Sequence, residues 1–295
     1  MMVLLESWTD TILRPILTDL SSGLGSIFGL SMATVLESPE AWGEDHSATA
    51  QVAGYVSTIS TALMETAAAV VLVILFLIEM HRVMLVTDGD GDTRLRMSVF
   101  TWIKFGVVWA VFHQTPAILA AIYQFGTSVA SETNKLFTSE VWPDRDFDEF
   151  LGTVKDLDWL GQTVLVVLML LAWLINKGAV LGGFALVVMR FIKLYIYGAF
   201  APVPMAMMVS EHTRSFGIGF IRNYAATVLQ SFVLVILFGI YTILTTRWAG
   251  AAMTGLPEGG VAAAFSLGGK FIFMGILLGM LVMGSGKIAN ELLGG

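Results

Sequence analysis

Chemistry needs nucleophiles, acids, bases or ligands at fixed spacings, and this chain offers few. Its histidines, His46, His81, His113 and His212, are scattered, and none has a second His or a carboxylate at the spacing of a metal site. There is no cysteine, which removes disulfides and thiolate ligands together. Asp88, Asp90 and Asp92 alternate like the start of a calcium loop. Thr93 stands where such a loop needs its sharp-turn glycine, and Val99 where it needs the closing glutamate, so a solvated turn is expected. Gly284-Ser285-Gly286-Lys287 looks like half a phosphate loop, but Ile288 replaces the Ser/Thr, the earlier glycine is missing and no strand precedes it. Neither GxSxG nor HExxH occurs. No enzymatic activity, no metal and no cofactor are expected.

The informative residues are charges set inside apolar runs. A charge near a bilayer centre costs about 2.5–3.5 kcal/mol and normally faces protein or water. Lys104 lies close enough to the end of its run to snorkel. Arg190 and Lys193, three apart, are expected on one helix face. Lys270 sits deep in the last run, while Glu65 and Glu79 share the first. Two readings stay open: ion pairing within the membrane with Glu65 as the obvious acid, or a basic stripe along a path for an anionic substrate. Three prolines are expected to break helices, Pro116 in a His-Gln-Thr-Pro stretch and Pro202 and Pro204 in an Ala-Pro-Val-Pro stretch. Gly178/Gly182 and Gly275/Gly279 have the spacing that lets helix backbones approach closely.

The elements that must carry these residues follow from composition. Of 295 residues, 56% are hydrophobic and only 13% charged, and the mean hydropathy is +0.78. A soluble domain carries roughly 25% charged residues. With 19 Phe, 8 Trp and 16 Met the chain is neither disordered nor fibrous, and its long unbroken apolar runs are not those of a strand-built barrel. The net charge of −7 gives no general attraction to nucleic acid. The expected fold is all-α: a polytopic integral membrane protein of about six transmembrane helices after an amphipathic N-terminal helix.

Leu5, Trp8, Ile12, Ile16 and Leu20 recur at helical spacing in that N-terminal segment, with Pro15 as a kink. It suits either the membrane interface or packing on a neighbouring subunit, and it does not read as a cleavable signal peptide. Spans are expected over Gln51–Val86, over Met97–Val129 as one long bent helix, and over Leu160–Ile175, Gly178–Met208, Tyr224–Thr245 and Val261–Met283. Four regions result. Residues 1–50 form an extracytoplasmic helix and loop, and 51–130 the first two transmembrane helices. Residues 131–158 form an acidic extracytoplasmic loop, and 159–295 a C-terminal transmembrane cluster. The orientation rests on Arg82, Arg94 and Arg96 in or beside the first loop, opposite the acidic Ser131–Asp158 segment. Cysteine substituted at Asp146 should react with an impermeant label on intact cells and cysteine at Asp90 should not; labelling of Asp90→Cys from outside would reverse the topology.

Beyond these physical readings, the stretch Arg190 to Tyr241 resembles the VirB6/TrbL family of conjugative type IV secretion systems, most of all the branch found in Gram-positive conjugative elements. The shared features are a basic pair before a hydrophobic helix and the Ala201-Pro202-Val203-Pro204 break. A Thr213-to-Phe216 polar turn, and an Ile221-Arg222-Asn223 helix start followed by Leu229-Gln230, complete the pattern. The resemblance implies a non-enzymatic, membrane-embedded channel or scaffold subunit that helps move single-stranded DNA or protein across the cytoplasmic membrane. It implies as partners the secretion ATPase and other type IV secretion subunits, further copies of the same chain, membrane lipid, and transient contact with single-stranded DNA. The alternative is a stand-alone transporter of small solutes or ions. That reading expects paired broken helices in two inverted halves, and only one half here carries a pronounced proline break.

Overall fold

The computed structural model describes residues 11–17, 46–86, 91–137, 151, 154–155, 157–254 and 260–292. Among them there is no strand; helices and their connections account for all of it. The Asp88/Asp90 turn, most of the acidic segment, and residues 1–10 and 18–45 of the expected amphipathic region lie outside the described residues.

Helix α1 (His46–Leu63) runs through a π turn, Met64–Ala68, into α2 (Ala69–Val86). Next come α3 (Gly91–His113), α4 (Thr115–Phe137), α5 (Trp159–Phe200), the short α6 (Pro202–Ala206), a 3-10 turn Met207–Val209, α7 (Arg214–Thr254) and α8 (Gly260–Leu292). Five stretches among the described residues are long and apolar enough to cross a membrane: Gln51–Leu85, Gly91–His113, Trp159–Phe200, Arg214–Tyr241 and Val261–Leu292. In a bilayer core every backbone N–H and C=O must be paired within the protein, and a long helix does this by itself. The chain is therefore a multi-pass cell membrane protein.

Among the described residues five candidate spans stand where about six were expected, and the expected third and fourth are one helix of 42 residues, about 63 Å long at 1.5 Å per residue. Asn176, Lys177 and Gly178 were expected to separate them. None of the three lacks a backbone N–H, and glycine inside a helix costs only about 1 kcal/mol against alanine, so the ladder continues. Lys177 is held beside this helix by the Trp173 ring one turn back, 5.7 Å from its centroid. At the helix start, the Asp158 carboxylate accepts the Gly161 N–H at 3.0 Å, an N-cap that fixes where α5 begins.

The expected bent second span divides at Gln114 into α3 and α4. Pro116 has no N–H to give the Phe112 carbonyl. The Thr115 hydroxyl donates to that carbonyl instead, at 2.7 Å, while Gln114 and Ile118 keep helical bonds across the joint. Only α3 qualifies as a membrane-crossing stretch; α4 carries Gln124, Thr127, Ser128 and Glu132 along its length.

The chain divides into two compact units. The first comprises Met1–Leu36, Val129–Val188 and Ser231–Ile288. Its core joins Leu13, Ile16 and Leu17 of the N-terminal segment to Leu151 and Val154, to Leu165, Met169 and Ala172 of α5, and to Leu267, Phe271 and Met274 of α8. The helical residues 11–17 thus bury their apolar face in the chain's own interior, a third outcome beside the membrane interface and a neighbouring subunit. Within this unit Gly275 of α8 lies against α5: a Cβ there would stand 3.2 Å from the Asn176 nitrogen, and one at Gly279 would stand 3.7 Å from the Ala179 Cβ. Gly178 and Gly182 face open space instead, so the close approach uses one of the two expected glycine pairs.

The second unit comprises Glu37–Ser128, Met189–Gln230 and Ala289–Gly295. Its core sets Ala68, Leu72 and Phe76 of the first span and Phe112 of α3 against Met205, Ala206 and Val209, which follow the Ala-Pro-Val-Pro stretch. Tyr224 of α7 ties in α4 by donating its hydroxyl to the Leu119 carbonyl at 3.2 Å.

Candidate functional site

The corner between α5 and α7 concentrates the unusual residues of the second unit. Pro202 and Pro204 stand in the first turn of α6, where a missing N–H costs nothing, so the prolines begin a short helix. The chain reverses a few residues later, at Ser210, whose backbone is extended (φ −88, ψ 139). Thr213 closes the corner by donating its hydroxyl to the Met207 carbonyl at 2.6 Å. Pro202, Met205, Ala206 and Val209 are buried. The break is thus a packed plug seated on the first two spans.

Beside this plug four charges meet. Lys104 Nζ of α3 is 3.8 Å from Glu79 Oε1 of α2 and 3.9 Å from Glu211 Oε1 in the corner. Arg82 Nη1 of α2 is 3.2 Å from Glu211 Oε2 and 4.0 Å from Glu79 Oε1. Each base is thereby shared by the same two acids. The Glu79 side chain is only 8% exposed, and its second oxygen is buried without a hydrogen-bond partner. A carboxylate this deep is sustained by its two cations, since an isolated buried charge costs several kcal/mol. The acid that meets Lys104 is therefore Glu79; Glu65 lies on the exposed side of the π turn. Sequence reasoning missed Arg82 and Glu211 as members of this cluster. Glu211 sits in a polar turn 107 positions from Lys104 (211 − 104), and no local spacing joins them.

Residues 28–202 match the family model described as TrbL/VirB6 plasmid conjugal transfer like protein. That is more than half of the chain. The chain belongs to this family. A comparison with curated proteins finds no match. Family membership makes this TrbL/VirB6 protein a component of a conjugal-transfer type IV secretion system, working within a multi-subunit machine. The matched segment ends at Pro202, so most of the Arg190–Tyr241 pattern lies beyond it.

The remaining charges of this family member separate. Arg190 is buried at 1% exposure, its guanidinium 4.7 Å from the centre of the Phe191 ring. Lys193, on the same helix, is exposed. Three residues turn a helix by about 300°. The buried edge of α5 follows Val187, Arg190, Phe191 and Leu194, which leaves Lys193 just outside it. Lys270 is also exposed, at the edge of the α8 face that buries Leu267, Phe271 and Met274. Of the bases that either an ion-pair reading or a basic-stripe reading would use, Arg190 is buried while Lys193 and Lys270 are exposed.

The second unit also holds a half-open cavity of about 600 Å³. Ser57 and Thr61 of α1, Pro116, Ala120 and Tyr123 of α4, and Gly198 of α5 help line it. Its size is that of a small-molecule pocket, and its wall mixes hydroxyls with apolar side chains that include Met64, Leu119 and Leu194.

Proposed function

We propose that this TrbL/VirB6 protein is a channel or scaffold subunit that helps move single-stranded DNA or protein across the cytoplasmic membrane, without catalysing a covalent step itself. The observation that carries this reading is the family match over residues 28–202 in a chain whose described residues include five helices long and apolar enough to cross a membrane. The secretion ATPase, other inner-membrane subunits and further copies of this chain are its proposed partners. Membrane lipid surrounds it, and single-stranded DNA touches it in passing. Two features support a transport role over a purely structural one. One is a proline-started plug packed on the first two spans. The other is a cavity in whose largely apolar wall stand Ser57, Ser60, Thr61, Gln124 and Thr127.

The test is in the transferring cell. Deleting the gene should reduce transfer of the element by orders of magnitude, and a plasmid-borne copy should restore it. A photo-crosslinking residue at Ala120, on the cavity wall, should capture cargo during transfer. The same residue at Val107, on the exposed side of α3, should not. Undiminished transfer in the deletion would remove the secretion role. Equal capture at the two positions would remove the channel role and leave the scaffold.

A further inference from the structure

Arg82 and Lys104 stand on adjacent membrane helices, and an exposed carboxylate of the same chain bridges them. We propose that this pair is a binding site for the phosphate of an anionic phospholipid, and that Glu211 is the internal anion that fills the site when no lipid is there. The proposal goes beyond the channel reading and does not depend on it.

Geometry gives the first argument. Glu211 spreads its two oxygens over two cations, Oε2 at 3.2 Å from Arg82 and Oε1 at 3.9 Å from Lys104. The non-bridging oxygens of a phosphodiester can divide between the same two cations, and Arg and Lys are both suited to phosphate.

The second argument is which acid can leave. Glu79 is 8% exposed and fixed within α2, whereas the Glu211 side chain is 61% exposed and sits in the turn before α7. With Glu211 withdrawn, Arg82 and Lys104 against Glu79 leave a net charge of +1 (2 − 1). A single phosphodiester carries the matching charge. Glu79 meanwhile holds the two cations in place, so the site persists while its occupant changes.

Position supplies the third. Arg82 lies three residues before the end of the span Gln51–Leu85 (85 − 82), where a lipid headgroup would be. Ile74 and Ile78 lead up to it at one-turn spacing on α2, 50% and 53% exposed, and Trp102 of α3 is 56% exposed nearby in sequence to Lys104. An acyl chain along Ile74 and Ile78 would bring its phosphate to Arg82. Basic pockets between transmembrane helices are where anionic headgroups bind. A nucleic-acid phosphate would use the cations and leave the apolar stripe uncovered.

The experiment uses the full-length protein in neutral detergent, titrated with short-chain phosphatidylglycerol and read by native mass spectrometry. Wild type should bind phosphatidylglycerol at least about tenfold more tightly than phosphatidylcholine, whose choline offsets the phosphate charge. Glu211→Gln should tighten phosphatidylglycerol binding about fivefold, the factor that corresponds to about 1 kcal/mol of competition removed. Arg82→Gln should weaken it about tenfold. Should Arg82→Gln fail to fold, the Glu211→Gln measurement still decides, because that side chain is exposed. Equal binding of the two lipids, or unchanged or weaker binding in Glu211→Gln, overturns the proposal. Displacement of the lipid by inorganic phosphate or by a single-stranded oligonucleotide at equal concentration also overturns it in favour of a general phosphate site.

Discussion

Replacing Arg190 by Gln is expected to remove most of the folded protein from the membrane, with a loss of stability of about 3 kcal/mol from the emptied volume and the lost ring contact. Arg190 is the largest fully buried side chain among the described residues, and its guanidinium carbon is 4.7 Å from the centre of the Phe191 ring. Gln fills less space, carries no charge and cannot stack over the ring. Arg190→Lys should recover only part of the loss, because an ammonium lacks the planar face that a guanidinium offers to an aromatic ring. Lys193→Gln and Lys270→Gln, at exposed positions, should not lower abundance below wild type, because each removes a charge from a membrane-crossing stretch. Membrane abundance and thermal unfolding in detergent, measured beside transfer frequency, separate the possibilities. Normal abundance of Arg190→Gln with lost transfer would mean that Arg190 touches cargo, contrary to its burial.

Gly217 near the start of α7 carries the second large expectation. A Cβ there would stand 2.3 Å from Met208 Cγ and 2.7 Å from the Pro204 carbonyl oxygen. Met208 can move. The carbonyl belongs to the plug and cannot, without shifting the backbone that buries Met205 and Val209. Gly217→Ala should therefore cost about 2 kcal/mol, in the range of overpacked cores. Gly217→Leu should abolish transfer by lifting α7 off the plug. Gly219, two residues on in the same helix, meets nothing within 4 Å. Gly219→Ala should be neutral or gain up to about 1 kcal/mol, because it removes a flexible residue from a helix interior. Thermal unfolding of the two alanine variants side by side gives the contrast, and equal effects would deny that α7 and the plug touch at Gly217.

Much of the architecture was legible because membranes make it local. A run of about 20 apolar residues has few alternatives to a spanning helix, and the first and last runs appear as Gln51–Leu85 and Val261–Leu292. Pro116 announced its own joint, since a residue without an N–H leaves a carbonyl unserved wherever it occurs; Thr115, next door, serves it. The reading at 176–178 went astray for the opposite reason. Asn-Lys-Gly looks like punctuation in sequence, yet α8 brings Gly275 close enough for an unbroken α5 to pack against it.

What the sequence by itself determined is the class of protein, the positions of most spans and the sites of helix breaks, for these depend on covalent chemistry and on hydrophobicity summed along the chain. Only the tertiary structure decided that Glu79 rather than Glu65 meets Lys104, and that Glu211 joins them from a distant turn. The structure alone also buried Arg190 while leaving Lys193 outside. The physical reason is rotational: a turn of about 100° per residue fixes the relative directions of side chains on one helix. Which direction becomes interior depends on which other helix arrives there, and a partner residue a hundred positions away leaves no periodic trace.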